Sequence, residues 1–193
     1  RLRLTATTTM VSDLVRNIGG DRAEVTALMG PGVDPHLYKA SARDVSRLQG
    51  ADVIFYSGLM LEGKLEEVLE RLKRSGRRIH AVTADLPKDD LLFPTGPRHH
   101  PDPHVWFDVP LWARTVDGVV RVLSEARPVD HEYFKERGRL VSGQMQALDS
   151  WTRHRIEELP AERRILITSH DAFSYFGRRY GFKVVALQGI STV

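Results

Sequence analysis

The chain of 193 residues carries 28 Lys and Arg against 25 Asp and Glu, and it contains no cysteine. The absence of cysteine excludes disulfides, zinc–thiolate sites and iron–sulfur clusters, so any metal site must use nitrogen and oxygen ligands. The net charge of +3 is small and the charges are interspersed, so we expect no nucleic-acid partner; no apolar run approaches the roughly 20 residues that span a bilayer.

Strands and helices are predicted to alternate along the first half of the chain. Most strands show alternating apolar and polar residues, whereas residues 52–56 form a nearly continuous apolar run, as in parallel strands buried on both faces. This alternation predicts an α/β architecture with a mainly parallel sheet. The predicted strands are residues 2–8, 24–28, 52–56 and 78–83, and the predicted helices include residues 61–72 and 111–123.

Two loops in this half contain the same tripeptide. Asp34-Pro35-His36 ends a rigid loop rich in glycine and proline. Asp102-Pro103-His104 ends an interval, residues 85–103, that lacks periodicity and is predicted to be a long surface loop. Proline removes a backbone donor and restricts the chain, which limits the entropy lost when the imidazole is held in place. The repetition predicts that both loops deliver an imidazole to one place.

A long helix is predicted from His131 to Leu159, with Asp130 as its cap and Pro160 at its end. At about 1.5 Å per residue it would span roughly 43 Å, which is more than one small lobe needs. The helix is therefore predicted to bridge two lobes. We expect an N-terminal α/β lobe at residues 1–129, a linker helix at 130–160 and the beginning of a C-terminal α/β lobe at 161–193.

A third histidine, His170, follows the strand predicted at residues 164–168. In parallel sheets, ligands bind beyond the carboxyl ends of the strands. His36, His104 and His170 are all predicted to lie at such places, so together they predict a metal site built from separate loops.

Several roles stay open at this point. Asp34 and Asp102 either orient the two imidazoles or cap their turns. His99 and His100 either capture metal transiently or belong to a polar loop. No catalytic residue is assigned, because the adjacent residues 169–171 cannot supply the geometry of a hydrolase triad. A mononuclear zinc hydrolase stays possible, since three histidines with an open fourth position can activate water.

Three stretches closely resemble the metal-binding receptors of bacterial ABC importers for zinc and manganese, the TroA-like family of cluster A-I solute-binding proteins. The resemblance implies two α/β lobes, one long linking helix and metal in the cleft between the lobes. It implies that His36 and His104 are ligands from the first lobe and His170 is a ligand from the second. The stretches are Leu28-Met29-Gly30-Pro31-Gly32-Val33-Asp34-Pro35-His36-Leu37-Tyr38, Asp102-Pro103-His104-Val105-Trp106-Phe107-Asp108 and Ser169-His170-Asp171-Ala172-Phe173-Ser174-Tyr175-Phe176.

The fourth ligand of this family, usually an aspartate from the C-terminal part of the second lobe, has no counterpart here. The chain therefore looks like such a receptor cut off soon after residues 188–192. It starts at Arg1 without a methionine or a signal-like segment, so we expect a processed or trimmed product.

The resemblance also implies a function. The expected protein is not an enzyme: it binds a divalent metal ion outside the cytoplasm, in the periplasm or anchored to the outer face of the cytoplasmic membrane. It would deliver that ion to the membrane permease of an ABC transporter. Zinc is favoured because neutral imidazoles suit it better than the harder manganese, which stays the alternative. A surface adhesin, a role proposed for some relatives, is a further alternative.

Overall fold

The computed structural model of the chain describes residues 1–94 and 100–188. Its larger sheet has four strands, all paired in parallel. They are β1 (Leu2–Ala6), β2 (Ala23–Ala27), β3 (Val53–Tyr56) and β4 (Ile79–Ala81). Their order is β2-β1-β3-β4, so β1 and β3 lie in the centre. The predicted α/β class with a parallel sheet is confirmed.

The apolar run of β3 is buried on both faces of this sheet, as the sequence predicted. Val53 and Phe55 belong to one hydrophobic core, and Ile54 belongs to a second core on the opposite face. Helices cover both faces of the sheet and supply most of the remaining core side chains. The helices of this part are α1 (Thr9–Gly19), α2 (Ala42–Gly50), α3 (Leu65–Arg74), α4 (Val109–Ala113) and α5 (Thr115–Ala126).

Two helices differ from the predicted bounds. The helix predicted at residues 111–123 is divided at Arg114 into α4 and α5, where the Thr115 hydroxyl donates to the carbonyl of Trp112 at 2.7 Å. The helix predicted to begin at residue 61 begins at Leu65. Gly63, which lies inside the predicted range, has φ of 48°, and a residue with a positive φ cannot belong to a right-handed helix.

The long helix α6 (His131–Glu157) contains 27 residues, about 40 Å at 1.5 Å per residue. It packs on α1, α4 and α5. Asp130 occupies the predicted N-cap position, but its side chain makes no capping hydrogen bond and instead pairs with Arg127. Among the described residues, no helix is both long enough and apolar enough to cross a membrane.

Beyond α6 the chain forms a second, two-stranded parallel sheet from β5 (Ile165–His170) and β6 (Lys183–Gln188). These strands are connected by α7 (Ser174–Tyr180), which ends at Gly181 with φ of 74°. Such a left-handed residue is the usual end of a helix, and glycine adopts it without a steric penalty. His170 is the last residue of β5, so the ends of both sheets contribute to one region of the molecule.

Candidate metal centre

Three histidines from three different segments come together. His36 lies in the loop between β2 and α2, His104 precedes a short 3-10 turn (Val105–Phe107), and His170 ends β5. Each offers a ring nitrogen, and these three atoms all lie within 4.8 Å of one another. Within residues 1–94 and 100–188, no other group of three or more His, Asp or Glu side chains converges in this way. The Nε2 atoms of His36 and His104 are 3.2 Å apart.

Both Asp-Pro-His segments form the same local turn. The Asp34 carboxylate accepts a hydrogen bond from the backbone N–H of His36 at 2.9 Å. Asp102 does the same for His104, again at 2.9 Å. Aspartate favours such turns because its short side chain reaches the amide two residues further on. The structure therefore places both aspartates as turn-forming residues.

Asp102 has an additional contact that orients a ring. Its Oδ1 atom lies 2.7 Å from Nδ1 of His104, which leaves Nε2 of that ring directed at His36. Asp102 and His104 are 1% and 2% exposed, respectively, so water screens this pair very little. A carboxylate behind an imidazole fixes its tautomer and raises its basicity as a ligand. The other oxygen, Oδ2, is buried and has no hydrogen-bond partner among the described residues.

The imidazoles face a cleft of about 430 Å³ with a largely apolar lining. The Trp106 ring lies 5.2 Å from the His104 ring, and the rings of Phe107 and Phe173 stack at 4.3 Å. Trp106, Phe107 and Phe173 line the cleft, as does Met29. Trp112 and Tyr175 are instead core residues of the larger sheet.

The electrostatics of the site favour the neutral form of the His36 imidazole. Burial lowers the pKa of His36, and the neighbouring His104 lowers it further, while the nearby Asp34 carboxylate acts in the opposite direction. A neutral imidazole is the form that binds a metal ion. His36 is therefore prepared to accept a cation without first losing a proton.

The remaining histidines lie away from this group. His99 falls outside the described residues, and His100 is exposed and does not belong to the converging set. His80 lies in β4, where its Nε2 is buried without a described partner. His131 and His154 are exposed positions of α6. The accessory role of His99 and His100 stays a prediction.

Sequence reasoning missed a supporting loop behind His36. Glu62 is 0% exposed and accepts hydrogen bonds from the Thr7 hydroxyl at 2.7 Å and from the backbone N–H groups of Ser57 and Gly58. Burial nevertheless raises the pKa of this carboxyl. A Cβ at Gly63 would lie 2.8 Å from the carbonyl oxygen of His36, so the same loop supports the histidine closely. No motif spacing signals this contact, because it joins distant segments.

The protein has two parallel sheets, a long helix, and one cleft that three imidazoles from separate segments line. These features define a class of α/β binding protein. The chain belongs to the family described as the periplasmic component A of the zinc-uptake complex, ZnuA, whose family model matches residues 4–193. The resemblance to TroA-like receptors is thereby confirmed.

Individual relatives agree with this assignment. The chain is 47% identical over 192 residues to the manganese-binding lipoprotein MntA of Bacillus subtilis, covering 100% of this chain and 62% of that protein. It is 45% identical over 183 residues to the zinc-binding protein TroA of Treponema pallidum, covering 95% of this chain and 58% of that protein.

The solved structure of the periplasmic zinc-binding protein TroA from Treponema pallidum matches with a TM-score of 0.94 and 44% identity, covering 100% of this chain and 69% of that one. The predicted TroA-like fold is therefore confirmed. The chain spans about 60% of the length of the two curated relatives. Both relatives are described as metal-binding proteins.

Proposed function

We propose that the protein binds a divalent transition-metal ion in this cleft, with His36, His104 and His170 as ligands. The observation that carries the proposal is the 3.2 Å between the Nε2 atoms of His36 and His104. Two nitrogens that each lie about 2.0–2.1 Å from a tetrahedral zinc ion are about 3.3–3.4 Å apart. The ring nitrogen of His170 lies within 4.8 Å of both, close enough to complete one face of a tetrahedron after a small adjustment.

Zinc is the favoured ion and manganese is the alternative. Three neutral nitrogen ligands suit zinc better than manganese, which prefers carboxylate and carbonyl oxygens. The two curated relatives support both ions, since one is described as a zinc-binding protein and the other as a manganese-binding one. Asp102 fits the role of the carboxylate that orients a ligand from behind, and we assign the same supporting role, through its turn, to Asp34.

For the whole protein, we propose a receptor that holds the ion outside the cytoplasm and passes it to the membrane permease of an ABC transporter. The family description and the names of both relatives support this role over catalysis, and we propose that the protein is not an enzyme. We further propose that residues 1–129 and 161–193 belong to two lobes connected by residues 130–160. The two separate sheets and α6 between them support that division.

A competition titration tests the proposal. The protein is titrated with zinc, and separately with manganese, against a chelator of known affinity, together with His104→Ala and His154→Ala variants. We expect one zinc per chain, a clear preference over manganese, strong loss of binding in His104→Ala and none in His154→Ala, which changes an exposed histidine of α6. Equal zinc affinity in the wild type and in folded His104→Ala would overturn the ligand assignment.

A further inference from the structure

The helix that follows His170 is packed into the core of the larger sheet. Tyr175, in the first turn of α7, is 0% exposed and belongs to the same hydrophobic core as β1 and α1. The guanidinium of Arg178 lies 5.1 Å from the centre of its ring. The second sheet is therefore attached to the first by more than α6.

The Tyr175 hydroxyl connects two backbone segments next to the metal centre. It donates to the carbonyl oxygen of Asp102 at 3.0 Å and accepts from the backbone N–H of Leu92 at 3.0 Å. The same two residues are also linked directly, since the N–H of Asp102 donates to the carbonyl of Leu92 at 2.7 Å. A tyrosine hydroxyl can donate and accept at once, and burial raises the pKa of Tyr175 to about 12, so it keeps its proton.

Arg178 reaches both sides of the same segment. One of its nitrogens donates to the carbonyl of Asp90 at 2.7 Å, and the other lies 3.1 Å from a carboxylate oxygen of Asp108. Asp108 also caps α4, since its other oxygen accepts the backbone N–H of Leu111. Tyr175 and Arg178 together therefore hold α7 against residues that flank His104 in the chain.

The far end of α7 is attached to a different element. Arg179 makes two hydrogen bonds to the carboxylate of Asp149 in α6, and the Tyr180 hydroxyl donates to that carboxylate at 3.0 Å. Tyr180 is 5% exposed, so its hydrogen bond is buried much like that of Tyr175. Helix α7 thus carries two buried tyrosine hydroxyls. Only the hydroxyl of Tyr175 bonds to the segment that contains His104, a proposed ligand.

We propose that Tyr175 is a positioning residue of the metal centre: together with Arg178, it sets the place of His104 relative to His170 and so slows the departure of the bound ion. This inference rests on the proposed metal-binding function. Tyr175 follows His170 by five residues, and Asp102, which accepts its hydrogen bond, precedes His104 by two. The bond is therefore a short link between the segments that carry two ligands. Ligands held by such supporting contacts keep the geometry that the ion needs.

The test compares matched tyrosine variants of the protein. Tyr175→Phe and Tyr180→Phe each remove one buried hydroxyl from α7, and thermal melts first establish that both variants fold. Zinc dissociation into excess chelator is measured by stopped flow, and bound Co²⁺ reports the ligand geometry through its visible absorption. We expect Tyr175→Phe to release zinc about tenfold faster with an altered Co²⁺ spectrum, and Tyr180→Phe to match the wild type in both.

A second pair of variants controls for a general loss of stability. Arg178→Met keeps an apolar stem beside the Tyr175 ring but loses the contacts to Asp90 and Asp108, and we expect faster zinc release here too. Arg179→Met breaks the contact to Asp149, and we expect no change in release. Equal release rates and spectra within both pairs would overturn the positioning role while leaving the metal site intact. If the wild type itself fails to bind zinc, the proposed function fails instead.

Discussion

The same tripeptide, Asp-Pro-His, occurs in two regions of the molecule and has two different environments. In both, the aspartate accepts the backbone N–H of the histidine at 2.9 Å. At His104 the aspartate also bonds the ring, and the histidine is 2% exposed, whereas His36 is only partly buried. Identical local chemistry therefore produces one preorganised imidazole and one more accessible imidazole.

The largest expected difference comes from removing each imidazole. If about 10–16 kcal/mol of zinc affinity is shared by the three proposed ligands, one ligand contributes roughly 3–5 kcal/mol, or about 100- to 5,000-fold. We expect His104→Ala to lie at the upper end, because it also deprives the buried Asp102 of its ring partner, and His36→Ala at the lower end. Chelator competition measures both, and a larger loss in His36→Ala would contradict the ranking.

A smaller contrast is expected between the two aspartates. Asp102→Asn should weaken zinc binding by about 10- to 100-fold, because an amide orients the buried His104 ring less strongly than a carboxylate. Asp34→Asn should cost less than about threefold, since this side chain is only partly buried and its turn can persist with asparagine. The same titration tests both variants. Similar losses in both would show that the two turns support their imidazoles equally.

A substitution in the loop behind His36 tests the His36 region separately from the His104 region. Gly63→Ala places a Cβ 2.8 Å from the His36 carbonyl at a residue with φ of 48°. We expect about 1–3 kcal/mol of lost stability and several-fold weaker zinc binding. Gly76→Ala is the control, since Gly76 has φ of 86° but open space around it. It should lose stability without losing affinity, and denaturant melts with zinc titrations separate these effects.

The smallest expected effect concerns protons at His36 in metal-free protein. Burial, and then the proximity of His104, holds the pKa of His36 below its usual 6.5. The unfolded chain therefore binds more protons there as the pH falls through 6.5, so stability decreases across that range and levels off below the folded pKa. Denaturant melts at about pH 7.5 and about pH 5.5 should show a smaller loss in His36→Gln than in the wild type. An unchanged loss would contradict the lowered pKa.

Local signals predicted a large part of the fold. The apolar run at β3 and the alternation of strands and helices appear as expected. Helix α2 begins with a capping box, in which the side chains of Ser41 and Asp44 accept each other's backbone N–H groups. These features depend on neighbours in the chain. The predictions of one helix over residues 111–123 and of a helix beginning at residue 61 were wrong, because the Thr115 hydroxyl bond and the positive φ of Gly63 decided these points. Asp130 stands at the predicted N-cap position, but Arg127 binds its carboxylate and the side chain does not cap α6.

The sequence by itself determined the turns of the metal centre and the residue types that it could contain. The absence of cysteine excluded a metal site with thiolate ligands. The aspartates two residues before His36 and His104 specified the turns through hydrogen bonds to the backbone N–H groups of those histidines. Only the tertiary structure decided how closely the three rings approach one another, that His104 is more deeply buried than His36, and that the Tyr175 hydroxyl binds beside His104. Those outcomes depend on packing between segments 66 or more residues apart, which no local pattern encodes.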